Sequence, residues 1–384
     1  MPFFTEEQEM IRELARRIAV EKIVPVREHY DHCGEFPWEI VEEIRNADLF
    51  GVFIPEEFGG FGGGITEMAI VTEELSTACG GISLSFAATG LGAMPILLFG
   101  SQAQKEKYLP IIASGEALTA FALTEPNAGS DAGGIRTTAR RDGDSYILDG
   151  TKQWITNGGE AKIYTVIALT DPSKGARGAS AFIVEDGTEG FSYGKKEDKM
   201  GIRASATREL IFQNCRIPAE NLIAREGMGF LVAMGTLDKS RPGVASQAIG
   251  IARGALEAAI DYARQREQFG RPVIANQGLQ WMLADMATKV ETARAFIYDV
   301  AAKIDKGEKD ISKLSAMAKL YASDVAMSVT TDAVQIFGGY GYMREYPVEK
   351  MMRDAKITQI YEGTNQIQRD VIGKSLIKEA AKKR

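Results

Sequence analysis

Asp142-Gly143-Asp144-Ser145-Tyr146-Ile147-Leu148-Asp149-Gly150-Thr151-Lys152-Gln153-Trp154-Ile155 is the stretch that decides the architecture. Two runs rich in apolar residues, Ser145–Leu148 and Thr151–Ile155, each follow an Asp-Gly turn signal, the pattern of short strands joined by tight turns. Ile163–Leu169, Ala179–Glu185 and Glu209–Phe212 read the same way, with Asp171-Pro172-Ser173-Lys174-Gly175 and Asp186-Gly187 as loops between them. No segment here has room for a crossover helix. The spacing therefore predicts antiparallel pairing in a small β-barrel or sandwich of about 110 residues.

On both sides of this stretch the period changes to that of a helix. Thr5 followed by Gln8 is a capping-box pattern, and Ile11, Leu14, Ala15 and Ile18 share one helix face. Gly59 to Gly64, all glycine but for Phe61, reads as a loop. Beyond residue 225, Met286, Val290, Ala293, Ile297, Val300 and Ile304 form a heptad seam. Leu256, Ala259, Ile260 and Ala263 make a second stripe, and Leu314, Met317, Ala318, Tyr321 and Val325 a third. Long helices with short connections predict an antiparallel bundle. The expected fold is α+β and multidomain: a helical domain over 1–119, a β domain over 120–228 and a helical bundle over 229–384. The last residues, from Lys374, read as a solvated basic helix end.

Composition narrows the chemistry. The chain has 384 residues, 45 Lys and Arg, 52 Asp and Glu, and a formal charge of −7, which argues against nucleic acid as a partner. Two histidines and three cysteines leave little material for a His-ligated metal, a Ser-His-Asp triad or a cysteine cluster. An acid–base role therefore falls to a carboxylate, or the chemistry to a cofactor. His29 and His32, at i and i+3, lack a second ligand cluster, and no metal is expected. Cys33, Cys79 and Cys215 are widely spaced and odd in number, so a reducing, cytoplasmic setting is expected. No targeting signal is read at the acidic N-terminus. Residues 75–104 carry no charge, yet their glycines and Pro95 favour a buried helix pair over a membrane span, which needs about 20 predominantly apolar residues.

Four segments can carry chemistry. Phe121 to Asp131, through Leu123, Thr124, Glu125, Gly129 and Ser130, places small and hydroxyl residues where backbone amides can approach a flat or anionic ligand. An Asx/Ser turn is the plain alternative. Trp154-Ile155-Thr156 can cover an aromatic cofactor with a hydroxyl beside it, or Trp154 is core of the β domain. Gln335-Ile336-Phe337-Gly338-Gly339-Tyr340-Gly341 follows a helix and lacks Rossmann spacing; its glycines are a helix C-cap or bare amides for a pyrophosphate. Tyr361-Glu362-Gly363-Thr364 sets a carboxylate beside an aromatic ring. In a pocket, desolvation would suit Glu362 to be a base; otherwise it is a helix N-terminal acid favoured by the macrodipole.

Together, in this order, these segments resemble the acyl-CoA dehydrogenase family of flavoproteins over essentially the whole chain. Leu123 to Asp131 is similar to one family signature. Gln335 to Gly341, with Glu345-Tyr346-Pro347, Lys350 and Arg353-Asp354, is similar to the other. The resemblance implies an N-terminal helical domain, a central antiparallel β-barrel and a C-terminal four-helix bundle, assembled as a homotetramer.

It implies FAD as cofactor, with Phe121, Leu123, Thr124, Gly129, Ser130, Trp154, Ile155 and Thr156 around the flavin ring. Arg266, Gln268, Phe269, Gln277 and Gln335, Ile336, Phe337, Gly338 and Gly339 would hold the phosphates and adenosine from a neighbouring subunit, with Thr364 and Gln366 as further contacts. Ser130, Asp238, Arg241, Gly363 and Lys374 match positions near the thioester, some relatives carrying Arg at the last.

The implied reaction is α,β-dehydrogenation of a short- or medium-chain acyl-CoA, as in fatty-acid β-oxidation. Glu362 takes the α-proton, hydride passes to the flavin, and electrons leave to an electron-transfer flavoprotein. In some members a bundle helix carries the base; the matching position is Ser240, which cannot serve. Gly90, Gly92 and Ala93 are read as room for a bulkier acyl group. The alternatives are an enoyl-CoA reductase running the same site backwards and a non-catalytic flavin- or acyl-CoA-binding protein.

Overall fold

The computed structural model describes residues 4–382. The first part contains α1 (Glu6–Ile18), α2 (Arg27–Cys33), α3 (Trp38–Asn46), α4 (Ile65–Ala78), α5 (Gly80–Phe99) and α6 (Gln102–Ala113). Thr5 caps α1 through a complete capping box with Gln8. The charge-free run is α5, whose most apolar window has a mean hydropathy of 1.8. That window is 72% buried inside the fold, so its apolarity is explained by core packing.

A sheet follows, of β1 (Thr119–Ala122), β2 (Thr138–Asp142), β3 (Ser145–Thr156), β4 (Ile163–Leu169), β5 (Ala179–Glu185), β6 (Phe191–Lys196), β7 (Thr207–Pro218) and β8 (Leu222–Ile223). The order runs β6-β7-β3-β2-β4-β5-β8, with β1 also on β4. Two expectations need correction. Asp149-Gly150 is no turn: β3 is continuous, and the register shift between Leu148 and Gly150 makes it a bulge, with Gly150 at φ 146° packed on Thr137. The sheet is also not purely antiparallel, because β1 pairs parallel with β4, and β2 touches β4 in parallel at Thr138 and Leu169. The β2–β3 hairpin lies in the long connection between β1 and β4, so a parallel return needs no helix.

The last part holds α7 (Gly229–Gln265), a two-stranded arm of β9 (Glu267–Gln268) and β10 (Arg271–Pro272), α8 (Gln277–Asp305), α9 (Ser312–Phe337), α10 (Pro347–Ile357) and α11 (Asn365–Lys382). Every residue of the heptad seam on α8 is buried, each Val, Ile or Met side chain contributing about 1.5–3 kcal/mol of hydrophobic stabilisation. The stripe expected on α9 holds in part: Ala318 and Val325 are buried and Leu314 packs against the core, but Tyr321 is exposed, and the buried face extends to Ser315, Lys319, Ala322, Ala326 and Val329.

The central helix α7 packs on α4, α5, α9 and α10, joining the first and last helical parts in one layer. Its contact with α4 is backbone-close. A Cβ at Gly250 would stand 2.3 Å from the Glu73 carbonyl oxygen, and one at Gly254 2.1 Å from that of Thr77. Beside it, Arg253 bridges buried Glu73 and Glu74, and Arg294 and Tyr298 from α8 also reach Glu73.

Candidate active site

Between α4, α5, α7 and the edge of the sheet lies a cleft of about 490 Å³. A second compartment of about 620 Å³ adjoins it, sharing Thr124, Gly129, Ser130, Trp154, Thr156 and Tyr361–Gly363 as a common wall.

One side of that wall is the loop after β1. Glu125 is buried and accepts from the backbone N–H of Arg136 (2.6 Å) and Thr137 (2.9 Å). Lys152, fully buried on β3, donates to Glu125 (2.8 Å) and to the Leu123 carbonyl (2.9 Å). Burial pushes Lys152 down to about 8 against the pull of Glu125. Glu125 itself is held below its ordinary range, because Lys152 and the hydrogen bonds together outweigh its desolvation. Trp154 sits where β3 slips register against β7, at φ 56°, and is 58% exposed. It is therefore not core: the bulge turns the ring out to the cleft.

The other side is the loop before α11. Glu362 has φ +51°, a left-handed conformation that costs a non-glycine residue about 1–3 kcal/mol. Gln368 donates to the carbonyls of Glu362 (3.1 Å) and Gly363 (2.9 Å). Lys319, fully buried on α9, donates to the Gly363 carbonyl (2.8 Å) and to Asn365 Oδ1 (3.1 Å). From α7, Ser240 Oγ donates to Glu362 Oε2 at 2.6 Å. Desolvation raises the Glu362 pKa above the ordinary carboxylate value; the Ser240 hydroxyl, Arg241 and Lys319 oppose it in that order. The residue keeps a partly exposed face toward the cleft, as a base must.

In the cleft wall Tyr361 OH donates to Gln247, whose amide in turn donates to the Gly80 carbonyl (2.9 Å). Met68, Leu84, Ala88 and Leu91 line it with apolar surface. Gly90, Gly92 and Ala93 do not open it. Leu84, Ala87, Ala88 and Leu91 form the helix face that meets the cleft, which turns 90, 92 and 93 away. A Cβ at Gly90 would meet Met68, and one at Gly92 would meet Thr119.

The sequence candidates fall into groups. Phe121, Leu123, Thr124, Gly129, Ser130, Trp154, Ile155, Thr156, Arg241, Glu362 and Gly363 line the cleft, and Thr364 the second compartment. Asp238 stands behind, bound to Arg241 (2.6 Å) and Ser312 (2.9 Å). Arg266, Gln268 and Gln335–Gly339 line a separate surface pocket of about 650 Å³. Phe269 is 98% exposed on the β9–β10 arm, and Gln277 and Gln366 are exposed outside these pockets. Lys374 lies on the exposed face of α11, 3.8 Å from Asp370, and lines none of the three.

His29 meets Cys33 and Glu35 rather than His32, in an exposed surface group. Cys79 and Cys215 are buried, and burial pushes the Cys215 thiol up to about 11. Sequence reasoning missed Lys319, Gln368 and Gln247. The signal for Lys319 was present: it is a lone charge in register with Ser315, Ala322 and Ala326.

Two adjoining compartments thus share a wall that carries an exposed Trp154 ring and the Glu362 carboxyl. The family models for the acyl-CoA dehydrogenase N-terminal, middle and C-terminal domains match residues 5–116, 120–215 and 227–377. The chain belongs to the acyl-CoA dehydrogenase family. It is 50% identical over 375 residues to an acyl-CoA dehydrogenase of Bacillus subtilis, covering 97% of this chain and 98% of that protein. It is 49% identical to an acryloyl-CoA reductase (NADH) of Anaerotignum propionicum, covering 97% and 95%. Among solved structures, butyryl-CoA dehydrogenase from Megasphaera elsdenii superposes with a TM-score of 0.95 at 49% identity, covering 97% and 99%. A chain in a structure of the electron transferring flavoprotein of Acidaminococcus fermentans gives 0.95 at 50% identity, covering 97% and 98%.

Proposed function

We propose that this protein catalyses α,β-dehydrogenation of a short- or medium-chain acyl-CoA, with Glu362 as the base. The observation that carries this reading is the Glu362 carboxyl, held at the common wall of the two compartments by Ser240 and opposed to Thr124, Trp154 and Thr156.

The residues present fit FAD. Thr207 lines the second compartment with a buried hydroxyl that has no protein partner. Gly129, Gly338 and Gly339 present backbone with no atom within 4 Å of a virtual Cβ, and such bare backbone lets amides approach a ring or a phosphate. Bound FAD supplies the two-electron acceptor for the hydride leaving the substrate β-carbon. Thr124, Thr156, Trp154 and Thr364 are assigned to the ring, and Arg266, Gln268, Phe269, Gln277, Gln366 and Gln335–Gly339 to the phosphates and adenosine of a neighbouring copy's cofactor. That sharing is supported by the separate location of the third pocket and by the exposed Phe269; it requires an oligomer, and the family resemblance makes that a homotetramer.

The acyl chain occupies the apolar cleft, ending at the Gln247–Tyr361 contact. Glu362 removes the α-proton, and its backbone N–H stabilises charge developing on the thioester oxygen. Ser130, Arg241 and Gly363 flank the thioester, with Asp238 fixing Arg241. Electron-transfer flavoprotein as acceptor, a place in β-oxidation and a cytoplasmic setting belong to the same reading. The decisive experiment is anaerobic flavin bleaching against C4 to C12, branched, cyclic and dicarboxylic acyl-CoAs. Rapid bleaching by wild type and none by Glu362→Gln supports it; equal bleaching by both overturns it.

The same site can run as an enoyl-CoA reductase, a direction favoured by the similarity to the acryloyl-CoA reductase. Redox titration with substrate and product bound decides between them.

A further inference from the structure

We propose that Lys319 is a positioning residue of the catalytic base: from behind the cleft it carries the Gly363 carbonyl and adds a buried positive charge on the side of Glu362 away from the cleft. This rests on the dehydrogenation reading, in which Glu362 must be a carboxylate before it accepts a proton.

The geometry is specific. Lys319 is fully buried on α9, yet its two acceptors are neutral, the Gly363 carbonyl at 2.8 Å and Asn365 Oδ1 at 3.1 Å. Among the described residues no carboxylate lies within salt-bridge distance of it. A buried ammonium with no anion in contact is costly, and its charge is available to whatever anion lies nearby.

The charged groups facing it are Glu362 on the loop, Arg241 on α7 and Asp324 on α9. Asp324 is already engaged by Asn365 (2.8 Å), Gln359 (2.7 Å) and Arg369 of α11 (3.3 Å). Arg241 is paired with Asp238. Of the two anions, Glu362 and Asp324, Glu362 acts on Lys319 the more strongly. Its influence is mutual: Glu362 raises the proton affinity of Lys319, and Lys319 lowers that of Glu362.

The mechanical role runs through the same atoms. Asn365 is fixed by Ser323 and Asp324, so Lys319 ties the loop carbonyl to a braced point on α9. Glu362, in its left-handed conformation, is thereby held aimed at Ser240.

Lys319→Met tests both roles in the FAD-loaded enzyme. Removing the cation raises the Glu362 pKa, so a smaller fraction is ionised at neutral pH. The expected result is a rate of flavin reduction by butyryl-CoA lowered by up to about tenfold on the rising part of the pH profile, corresponding to a shift of up to about one pH unit. The ascending limb of the pH–rate profile should move to higher pH, with partial recovery at pH 9. A merely structural defect lowers the rate at every pH and leaves the limb in place; that outcome overturns the charge role.

Hydrogen exchange of the 362–365 amides is the second measurement. Faster exchange there in Lys319→Met, with exchange in β3–β5 unchanged, supports the mechanical role, and unchanged loop exchange overturns it. Asn365→Ala, which keeps the lysine and removes one anchor, is read the same way if Lys319→Met does not accumulate folded. If wild type itself fails to bleach, the dehydrogenation reading falls, while amide exchange still tests the mechanical tie.

Discussion

Two lysines hold the opposite walls of the cleft, and they differ in what answers their charge. Lys152 under the β-side loop has a carboxylate at 2.8 Å, Glu125, itself braced by two backbone N–H groups. Lys319 under the base-side loop has only a carbonyl and an amide oxygen. Both are fully buried, and burial pushes both to about 8. The Lys152 pair is closed: no charge in it needs to change during turnover. The Lys319 charge faces Glu362, the carboxyl proposed to take up a proton. On that proposal one wall is built to stay fixed, and the other is coupled to the chemistry.

Removing the base is the largest perturbation that separates the walls. Glu362→Gln is expected to lower the rate of flavin reduction about 10⁴-fold, the upper range for general acid–base catalysis, with cofactor and acyl-CoA binding retained by absorbance titration. Next comes Lys152→Met, which strands Glu125 buried without its cation. Breaking a buried pair on one side costs about 3–5 kcal/mol, so a lowered denaturation midpoint and weakened FAD retention are expected. The pH–rate limb of whatever enzyme remains should not move.

Lys319→Met should show the converse, a moved limb with a modest change in midpoint. If the two lysine variants gave the same pH profile, the contrast between the walls would collapse. Ser240→Ala should move the limb in the same direction with the fold intact. It removes the hydroxyl that opposes the raised Glu362 pKa most strongly, so activity should fall at neutral pH by at least as much as in Lys319→Met and recover as pH rises. The sign follows from Glu362 being active when ionised: its raised pKa makes activity rise with pH, and each lost donor moves that rise to higher pH. Stopped-flow reduction between pH 5 and 9 reads all of these profiles.

The fold was legible wherever periodicity and burial coincide. The α8 seam and the strands at 163–169 and 179–185 were readable because their apolar patterns are their buried faces. The α9 stripe is legible at Ala318 and Val325 and fails at Tyr321, because Tyr321 looks like core and Lys319 like surface, and packing reverses both. The parallel β1–β4 pairing was hidden because it depends on a long-range return that no local pattern encodes. In the site, Glu362, Thr124 and Trp154 stood out as unusual local chemistry. Gln247 and Gln368 did not, since an amide is unremarkable until the structure shows what its nitrogen reaches.

The three cysteines offer a native set of reporters. Cys33 is exposed at the end of α2, Cys79 is enclosed where α4 meets α5 beside Lys350, and Cys215 is sealed in β7. A thiol reagent should label Cys33 at once, and the other two only as fast as their surroundings open. Labelling kinetics then time the breathing of the helical layer and of the sheet separately, in the unmutated protein.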